Sequence, residues 1–449
     1  MEKRYGLLMS IALVVGIVIG SGVFFKADDV LSITNGNIVL ALLAWIIGAL
    51  TMIFGSLTFA EFAGRVEKSN GLVDYFEVAY GRFGSFLMGW FQGNLYYSIL
   101  AAILSYVSAL YTLTLIGYSN PGNSLLTWIV SFGYMTLLFL MNYLSPLMAG
   151  KFQISTTFIK LIPLVLVAIV GSIYGVQSGV SISNFNFGLS NLKESGNSFS
   201  SAVVSTAFAY EGWVIATTLN EEIKDSKKNL PKALIIGSII IAIVYIGFFL
   251  GITGSMDTLT IINEGDNAVN RAITILFNSR FTSILIVFLV ISCLGTTNGL
   301  VMSCIRVPYS LAVRGQGIKP ELMAKVNEKT KMPLYASIQA YIVCTFYLFL
   351  WYCSLNNVFG RFIALDEIPI VSMYVAYLFL YLYYMKNFKD LNVFSRFVKP
   401  LLATFGAFII LYGGITNPAL GQNLLITLFV LMIGVIVYFK PINKREKSN

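Results

Sequence analysis

Twelve apolar segments of this chain are long enough to cross a lipid bilayer. A helix needs about 20 mostly apolar residues to span the hydrocarbon core, and 57% of the 449 residues are hydrophobic whereas 11% are charged. A water-soluble globule of this size needs far more polar surface, so the composition predicts an all-α integral membrane protein. We expect the spans at about 7–32, 38–63, 84–116, 125–143, 150–176, 199–222, 232–254, 281–312, 334–353, 360–385, 398–414 and 422–440.

The basic residues are distributed unevenly between the two ends of these spans. If the N-terminus is cytosolic, five of the 30 Lys and Arg residues lie outside, Lys160 lies within a span, and the remaining 24 lie on the cytosolic side. The positive-inside rule therefore predicts that both termini are cytosolic and that the protein is multi-pass in the cell inner (plasma) membrane. The net charge of +9 then reflects topology and attraction to anionic lipid, so we expect the lipid bilayer and no nucleic acid as a partner.

Glycines interrupt two of the segments. The first span is cut near its middle by Gly20-Ser21-Gly22, and the sixth by Phe208-Ala209-Tyr210-Glu211-Gly212-Trp213. Glycine is a poor helix former with access to left-handed backbone angles, and open backbone inside a membrane is tolerated where it lines a water-filled or ligand-filled cavity. The two breaks therefore predict a binding site near the middle of the membrane.

The spacing of the two breaks predicts the domain organisation. They lie five helices apart, which is typical of the LeuT-type five-plus-five repeat with broken helices 1 and 6. Because five is odd, the second repeat enters the membrane from the opposite side, so the repeat is inverted. We expect a first repeat at 7–176, a second at 199–385 and two additional helices at 398–440, all within one membrane domain, 1–449.

A broken helix offers two electrical poles inside the membrane. The N-terminus of a half-helix presents free N–H groups, and a C-terminus presents free carbonyls; an α-amino acid, with a carboxylate and an ammonium, fits both. We expect the N–H groups of Ser21, Gly22 and Val23 to bind the substrate carboxylate. The competing explanation is a tight helix–helix contact, where Gly and Ser are common.

The two broken motifs resemble those of the bacterial form of the L-amino acid transporter family, a branch of the amino acid, polyamine and organocation superfamily. The resemblance covers essentially the whole chain through the tenth span. The stretches that carry it are Val18 to Phe24, Phe208 to Trp213, Ala60-Glu61, Glu221-Glu222, Asn229 to Ala233, and Gly295 to Gly299.

The resemblance implies roles for several residues of the two breaks. It implies that the carbonyls of Val18 and Phe208 receive the substrate ammonium and that the Phe208 ring closes the site toward the outer vestibule. Trp213 is expected either to shape the side-chain pocket or to pack in the core. Eukaryotic relatives pair with a heavy chain through a cysteine in the outer loop after the third helix, but 117–127 contains none, so we expect no covalent heavy-chain partner and a functional monomer.

Glu211 places a carboxylate near the second break, where an unpaired charge is costly. Three interpretations remain open from the sequence. The carboxylate binds the substrate ammonium, it binds a proton, or it caps the freed N–H groups of the inner half-helix, with capping slightly preferred.

Lys160 is the strongest single-residue signal. It lies ten residues beyond Gly150, about 15 Å deep at about 1.5 Å per helical residue, and a buried ammonium needs partners. Freed carbonyls of the first helix, near Gly20, and the Thr296 hydroxyl are expected to supply them. Since sodium-driven relatives of this fold hold a sodium ion between helices one and eight, Lys160 there would couple the fifth helix to the first and make transport independent of sodium. A titrating Lys160 would instead make transport proton-coupled.

Acidic residues outside the breaks leave further options. We expect Asp366 and Glu367 to pair with Arg361 or Lys26 at an outer gate or at a solvated rim, and Glu61 to pair with Arg65 or a nearby loop. The chain contains no histidine, and its four cysteines lie in predicted spans, so we expect no metal site, no cofactor and no extracellular disulfide framework.

The sequence thus predicts a sodium-independent exchanger, or antiporter, of small or medium neutral L-amino acids that works by alternating access. A proton-coupled amino acid symporter and a cationic amino acid carrier are the alternatives. An ion channel would need a continuous polar lining. An enzyme is not expected, because no nucleophile–base constellation and no phosphate-binding motif is present.

Overall fold

The computed structural model describes residues 6–20, 22–66, 70–118, 120–192, 199–417 and 420–439, and these contain helices and no strand. Short 3-10 and π segments join some of the α-helices. The α-helices are α1 (Leu7–Val18), α2 (Gly22–Phe25), α3 (Ala27–Ile33), α4 (Ile38–Arg65), α5 (Leu72–Phe91), α6 (Tyr97–Leu115), α7 (Leu125–Leu144), α8 (Pro146–Gln177), α9 (Val180–Ser190), α10 (Phe199–Tyr210), α11 (Ser226–Ser255), α12 (Thr258–Glu264), α13 (Ala268–Val313), α14 (Pro320–Met323), α15 (Leu334–Leu355), α16 (Glu367–Asn387), α17 (Lys399–Thr416) and α18 (Leu425–Phe439).

Nine helical segments of the described chain are long and apolar enough to cross a membrane. They include α5 and α6 as one segment, joined by a π-helical turn at Gln92–Tyr96. The other three predicted spans coincide with shorter helices: the first is divided into α1, α2 and α3, the sixth into α10 and a 3-10 helix at Trp213–Glu222, and α18 has 15 residues. An all-helical membrane protein is confirmed, and the count of twelve spans stays a prediction.

Three helices begin at other residues than the predicted spans, and one predicted loop contains a helix. Helix α5 begins at Leu72 rather than 84 and bends at the positive-φ residue Gly81. Helix α13 begins at Ala268, but its apolar span, Ser283–Val313, agrees with the predicted eighth span. The loop expected at 177–198 contains α9. The tenth span begins at Glu367 rather than 360, since a carboxylate is favourable in the first turn of a helix.

Helices α8 and α11 cross at a run of glycines that positions the site. A Cβ atom at Gly251 would overlap the carbonyl oxygen of Val167, and one at Gly171 would overlap the carbonyl of Gly251. The backbones therefore touch with no side chain between them, which is a common way to pack membrane helices. The N-terminal helix α1 packs on both members of this pair.

We expect Gly251→Ala to destabilise the protein by about 1–3 kcal/mol, because a carbonyl oxygen cannot yield as a flexible side chain does. The matched control is Gly133→Ala in α7, where the added Cβ meets nothing within 4 Å. Thermal unfolding of the detergent-purified variants measures the effect. Equal melting temperatures for Gly251→Ala and the control would contradict the close crossing.

Candidate functional site

The break in the first helix leaves backbone carbonyls without helical partners. Helix α1 ends at Val18, Ile19 is extended with φ −69° and ψ 99°, and α2 begins at Gly22. Side chains of α8, α11 and α13 donate to four of these carbonyls. The bonds are Lys160 Nζ to Gly16 O (2.5 Å), Tyr245 hydroxyl to Val18 O (3.1 Å), Thr296 Oγ1 to Ile19 O (3.2 Å) and Ser292 Oγ to Gly20 O (3.4 Å).

The Lys160 ammonium lies behind this break and is completely buried. It donates to the carbonyl oxygen of Gly16 and, at 2.9 Å, to Thr296 Oγ1. The predicted contact with a first-helix carbonyl and with Thr296 is therefore confirmed. Both acceptors are neutral oxygens, so the positive charge is held by dipoles rather than by a carboxylate.

Glycine is required on the first helix where it meets these side chains. A Cβ at Gly16 would overlap Thr157, and one at Gly20 would lie 2.9 Å from Thr296 Oγ1. Since real Cβ atoms do not approach so closely, Gly20 allows the first helix to reach α13. Gly20 and Thr296, both expected to take part in coupling around Lys160, are therefore in packing contact, and their coupling role stays a prediction.

The second break lies at Glu211 and Gly212. Helix α10 ends at Tyr210, and Gly212 has φ +104°, a conformation that L-residues rarely adopt. The chain resumes as a 3-10 helix at Trp213. A Cβ at Gly22 would lie 2.7 Å from the Cα of Ala209, so the two broken helices touch at their breaks.

A small cavity lies where the two breaks meet. Its volume of about 40 Å³ holds a few water molecules and is too small for an amino acid, so a ligand of that size requires the walls to move apart. Most of its wall is apolar, and the polar groups are backbone of the breaks, Tyr96, Glu211 and Thr296. The lining residues are Ile17, Val18, Gly20, Gly22, Tyr96, Leu100, Leu104, Phe208, Ala209, Glu211, Gly212, Ile215, Thr296 and Leu300.

The Glu211 carboxylate in this wall is half satisfied. Its Oε1 accepts hydrogen bonds from the hydroxyls of Tyr96 (2.9 Å) and Tyr377 (2.7 Å). Its Oε2 is buried and has no hydrogen-bond partner among the described residues. A buried polar atom without a partner is costly, so this oxygen favours a ligand that carries a hydrogen-bond donor.

Six of the ten predicted site residues line the cavity, and three other described ones, Val23, Lys160 and Trp213, do not. Val18, Gly20, Gly22, Phe208, Glu211 and Thr296 line it, and Lys160 lies behind it. Ser21 falls outside the described residues. Val23 is buried but is not part of the lining.

Trp213 packs in the core, away from the cavity. Its ring meets Phe59 edge-to-face at 5.2 Å and lies 5.6 Å from the ring of Tyr377. The left-handed turn at Gly212 directs the chain after the break toward α4 and α16. These contacts are the core packing that was one of the two expectations for Trp213, and its part in the pocket stays a prediction. Ile215, two residues later, lines the cavity.

The site also uses four residues that the sequence did not indicate. Tyr245 and Ser292 bind first-helix carbonyls, and Tyr245 donates to the carbonyl of Val18 that was expected to receive the substrate ammonium. Tyr96 and Tyr377 bind Glu211. A lone tyrosine or serine in an apolar helix leaves no periodic signal, so only the fold identifies these donors.

A cluster of charges lies beside the Phe208 ring. Lys26 Nζ lies 2.8 Å from Asp366, 3.1 Å from Asp29 and 3.5 Å from Glu367, and 5.2 Å from the centroid of Phe208. The predicted pairing of Asp366 and Glu367 with Lys26 is confirmed. We call Lys26, Asp29, Asp366 and Glu367 the Lys26 cluster.

Ion pairs also tie the end of α4 to the chain that follows α16, and the end of α13 to the start of α5. Arg65 binds both carboxylate oxygens of Asp390, at 3.0 and 2.6 Å, and lies 4.0 Å from Glu61. The hydrogen bond from Arg65 holds the pKa of Asp390 below its usual range. Arg314 pairs with the buried Asp74. Arg65 is therefore close to Glu61, as predicted, but the nearer partner of Arg65 is Asp390.

Comparison with known proteins matches the chain to transporters. A family model described as amino acid permease matches residues 5–439. The serine/threonine exchanger SteT of Bacillus subtilis is 29% identical over 100% of this chain and 98% of its own length. The human Asc-type amino acid transporter 1 is 25% identical over 92% of this chain and 81% of its own, and the human cystine/glutamate transporter is 25% identical over 75% and 66%.

We expect Tyr377→Phe to lower stability by about 1.5–3 kcal/mol, the usual range for a hydrogen bond to a charged group. Tyr210→Phe is the matched control, since this buried hydroxyl has no partner among the described residues. Thermal unfolding in detergent compares the two variants. If Tyr377→Phe were as stable as Tyr210→Phe, Glu211 would not depend on its tyrosine donors.

Proposed function

Because the chain belongs to the amino acid permease family, and is therefore an amino acid transporter and not an enzyme, we propose that it is a sodium-independent exchanger of small or medium neutral L-amino acids. The observation that carries this proposal is the contact of two broken helices at a buried cavity with one unpartnered acceptor. A full-length relative described as a serine/threonine exchanger supports both exchange and a small substrate.

The proposed architecture is the LeuT-type inverted repeat of twelve spans. Nine segments meet the length and hydropathy of a span, and the three that do not are the two broken helices and the short α18. Unusually interrupted spans in corresponding positions of two halves are typical of inverted-repeat transporters. In this arrangement both termini are cytosolic, the protein lies in the plasma membrane, and it acts as a monomer without a covalent heavy chain.

The proposed pose places the substrate between the two breaks. The N–H groups of Ser21, Gly22 and Val23, at the start of the outer half of the first helix, bind the carboxylate. The ammonium donates to the carbonyl of Phe208, to the free lone pair of the Val18 carbonyl and to Glu211 Oε2. A carbonyl oxygen has two lone pairs, so the bond from Tyr245 to Val18 does not exclude the substrate.

The cavity favours a substrate with a small side chain. Leu100, Leu104 and Leu300 form much of its wall, and its volume of about 40 Å³ must grow before any amino acid enters. We propose that tilting of the half-helices around the two breaks provides this room and opens the site to one face at a time. Phe208, 8% exposed at the cavity rim, then closes the outer side.

The position of Lys160 supports the proposed sodium independence. Its ammonium binds a backbone carbonyl and a hydroxyl between the first helix and α13, and these oxygen types are also the ligands of hard cations. The ammonium of Lys160 there performs the binding that a sodium ion would otherwise supply. Lys160 thereby couples α8 to the broken first helix.

A proton-coupled symporter is the second candidate, favoured by one observation. Glu211 Oε2 is buried at the cavity without a hydrogen-bond partner among the described residues. Binding of a proton would remove the cost of this unpaired oxygen, just as a hydrogen bond from the substrate would. In that case uptake would follow a pH gradient and would need no amino acid on the other side.

Exchange is tested with the purified full-length protein in proteoliposomes. We expect uptake of radiolabelled L-serine to require internal L-serine or L-threonine and to be unchanged when choline replaces sodium. A pH gradient should not drive uptake into empty vesicles. Uptake that follows the pH gradient without internal amino acid would establish symport instead, and competition by L-lysine would indicate a cationic amino acid carrier.

We expect Lys160→Ala to reduce the exchange rate at least about tenfold, equivalent to about 1.4 kcal/mol, because the broken first helix loses its anchor on α8. Lys151→Ala, at an exposed position of the same helix, is the matched control and should exchange like wild type. Rates are measured at saturating L-serine with equal amounts of reconstituted protein. Wild-type exchange by Lys160→Ala would refute the coupling role.

A further inference from the structure

The Lys26 cluster holds more negative than positive charge, and three of its four members are buried, whereas the Asp29 side chain is 44% exposed. One ammonium faces the three carboxylates of Asp29, Asp366 and Glu367. Lys26, Asp366 and Glu367 are 4%, 3% and 6% exposed. Uncompensated buried charge is costly, and the position of Asp366 and Glu367 at the start of α16 offsets only part of that cost.

Glu367 is the least satisfied member of the Lys26 cluster. Its Oε1 lies 3.5 Å from Lys26 Nζ, longer than a strong charge-assisted bond. Its Oε2 is buried and has no hydrogen-bond partner among the described residues. The cluster therefore has an open acceptor for one more donor group.

The side chain already bound there identifies the chemistry of that donor. Lys26 contributes a primary ammonium, and the carboxylates are arranged around it at 2.8, 3.1 and 3.5 Å. A second primary ammonium is recognised by the same oxygen atoms. Every α-amino acid with a free amino group carries such an ammonium.

The Phe208 ring is shared by the Lys26 cluster and the cavity between the breaks. The Lys26 ammonium is 5.2 Å from the Phe208 ring centroid, a distance at which a cation attracts an aromatic face. Phe208 also lines the cavity together with Glu211, whose Oε2 has no hydrogen-bond partner among the described residues. One aromatic side chain is therefore next to both the Lys26 cluster and the cavity.

We propose that the Lys26 cluster is a second, outer binding site for the primary ammonium of an incoming amino acid, which takes the place of Lys26 beside Asp366 and Glu367. Displaced from these carboxylates, Lys26 releases its contact with Phe208, and the ring frees the way to the cavity. The amino acid then passes from Glu367 to Glu211. This inference rests on the proposed function for its substrate, but binding of a simple amine at the cluster is measured independently.

The test uses ethylammonium, an ammonium without a carboxylate, which the cavity between the breaks would hold poorly. We expect ethylammonium, compared with choline at equal ionic strength, to inhibit L-serine exchange from one face of the proteoliposomes only, the outer face in the predicted topology. Glu367→Gln should raise the concentration for half-inhibition about tenfold, as expected for losing one charge-assisted hydrogen bond. Exchange measured from the opposite face should keep its KM.

Two further variants separate binding from a general loss of structure. Glu264→Gln removes a carboxylate that is paired with Arg271 at 2.6 Å outside the cluster, and it should behave like wild type. Lys26→Met removes the competing ammonium, so ethylammonium should inhibit at a severalfold lower concentration. A gain of affinity is not expected from a misfolded protein.

Saturation-transfer NMR of ethylammonium with the detergent-purified protein measures binding without transport. A signal in wild type and Glu264→Gln that is lost in Glu367→Gln supports the outer site even if exchange itself is not observed. Equal inhibition from both faces, equal binding by Glu367→Gln, or a pH effect on exchange with no effect of ethylammonium would overturn the inference. In the last case Glu367 Oε2 binds a proton and no amine, and the exchanger function would still stand.

Discussion

The ammonium of Lys160 bound to the opened end of the first helix is the interaction on which the site depends. A helix broken inside a membrane exposes carbonyls that lipid cannot satisfy. Here one buried cation and three hydroxyls from neighbouring helices satisfy them. The opened carbonyls of the described residues are therefore bound by groups of the protein itself.

The positions of the breaks and of the charged partners could be predicted from the sequence. In each case a residue that is unfavourable in a membrane helix lies inside an apolar span. Three such features are costly unless the fold supplies hydrogen-bond or ion-pair partners. They are glycines inside an apolar span, a lysine about 15 Å deep, and acids beside Lys26. The contacts of Lys160 with Thr296, and of Lys26 with Asp366, follow from that cost. Substrate contacts, sidedness and the twelve-span repeat remain proposals.

The hydroxyl donors of the site, and the helix faces that line the cavity, could not be predicted in the same way. The hydroxyls of Tyr245 and Tyr377 lie in apolar helices where a tyrosine is equally suited to packing. The left-handed turn at Gly212 changes the face that follows it, so Trp213 packs on Phe59 while Ile215 lines the cavity. Hydropathy also misses polar helix starts, which is why α5 and α13 begin earlier than expected.

The glycine crossing of α8 and α11 has a consequence for how the first helix moves. Lys160 is carried by α8 and Tyr245 by α11, and the two backbones interlock without intervening side chains. Two of the donors that hold the opened carbonyls therefore belong to one stiff frame. A movement of the first helix away from this pair of helices would break the hydrogen bonds of Lys160 and Tyr245 together.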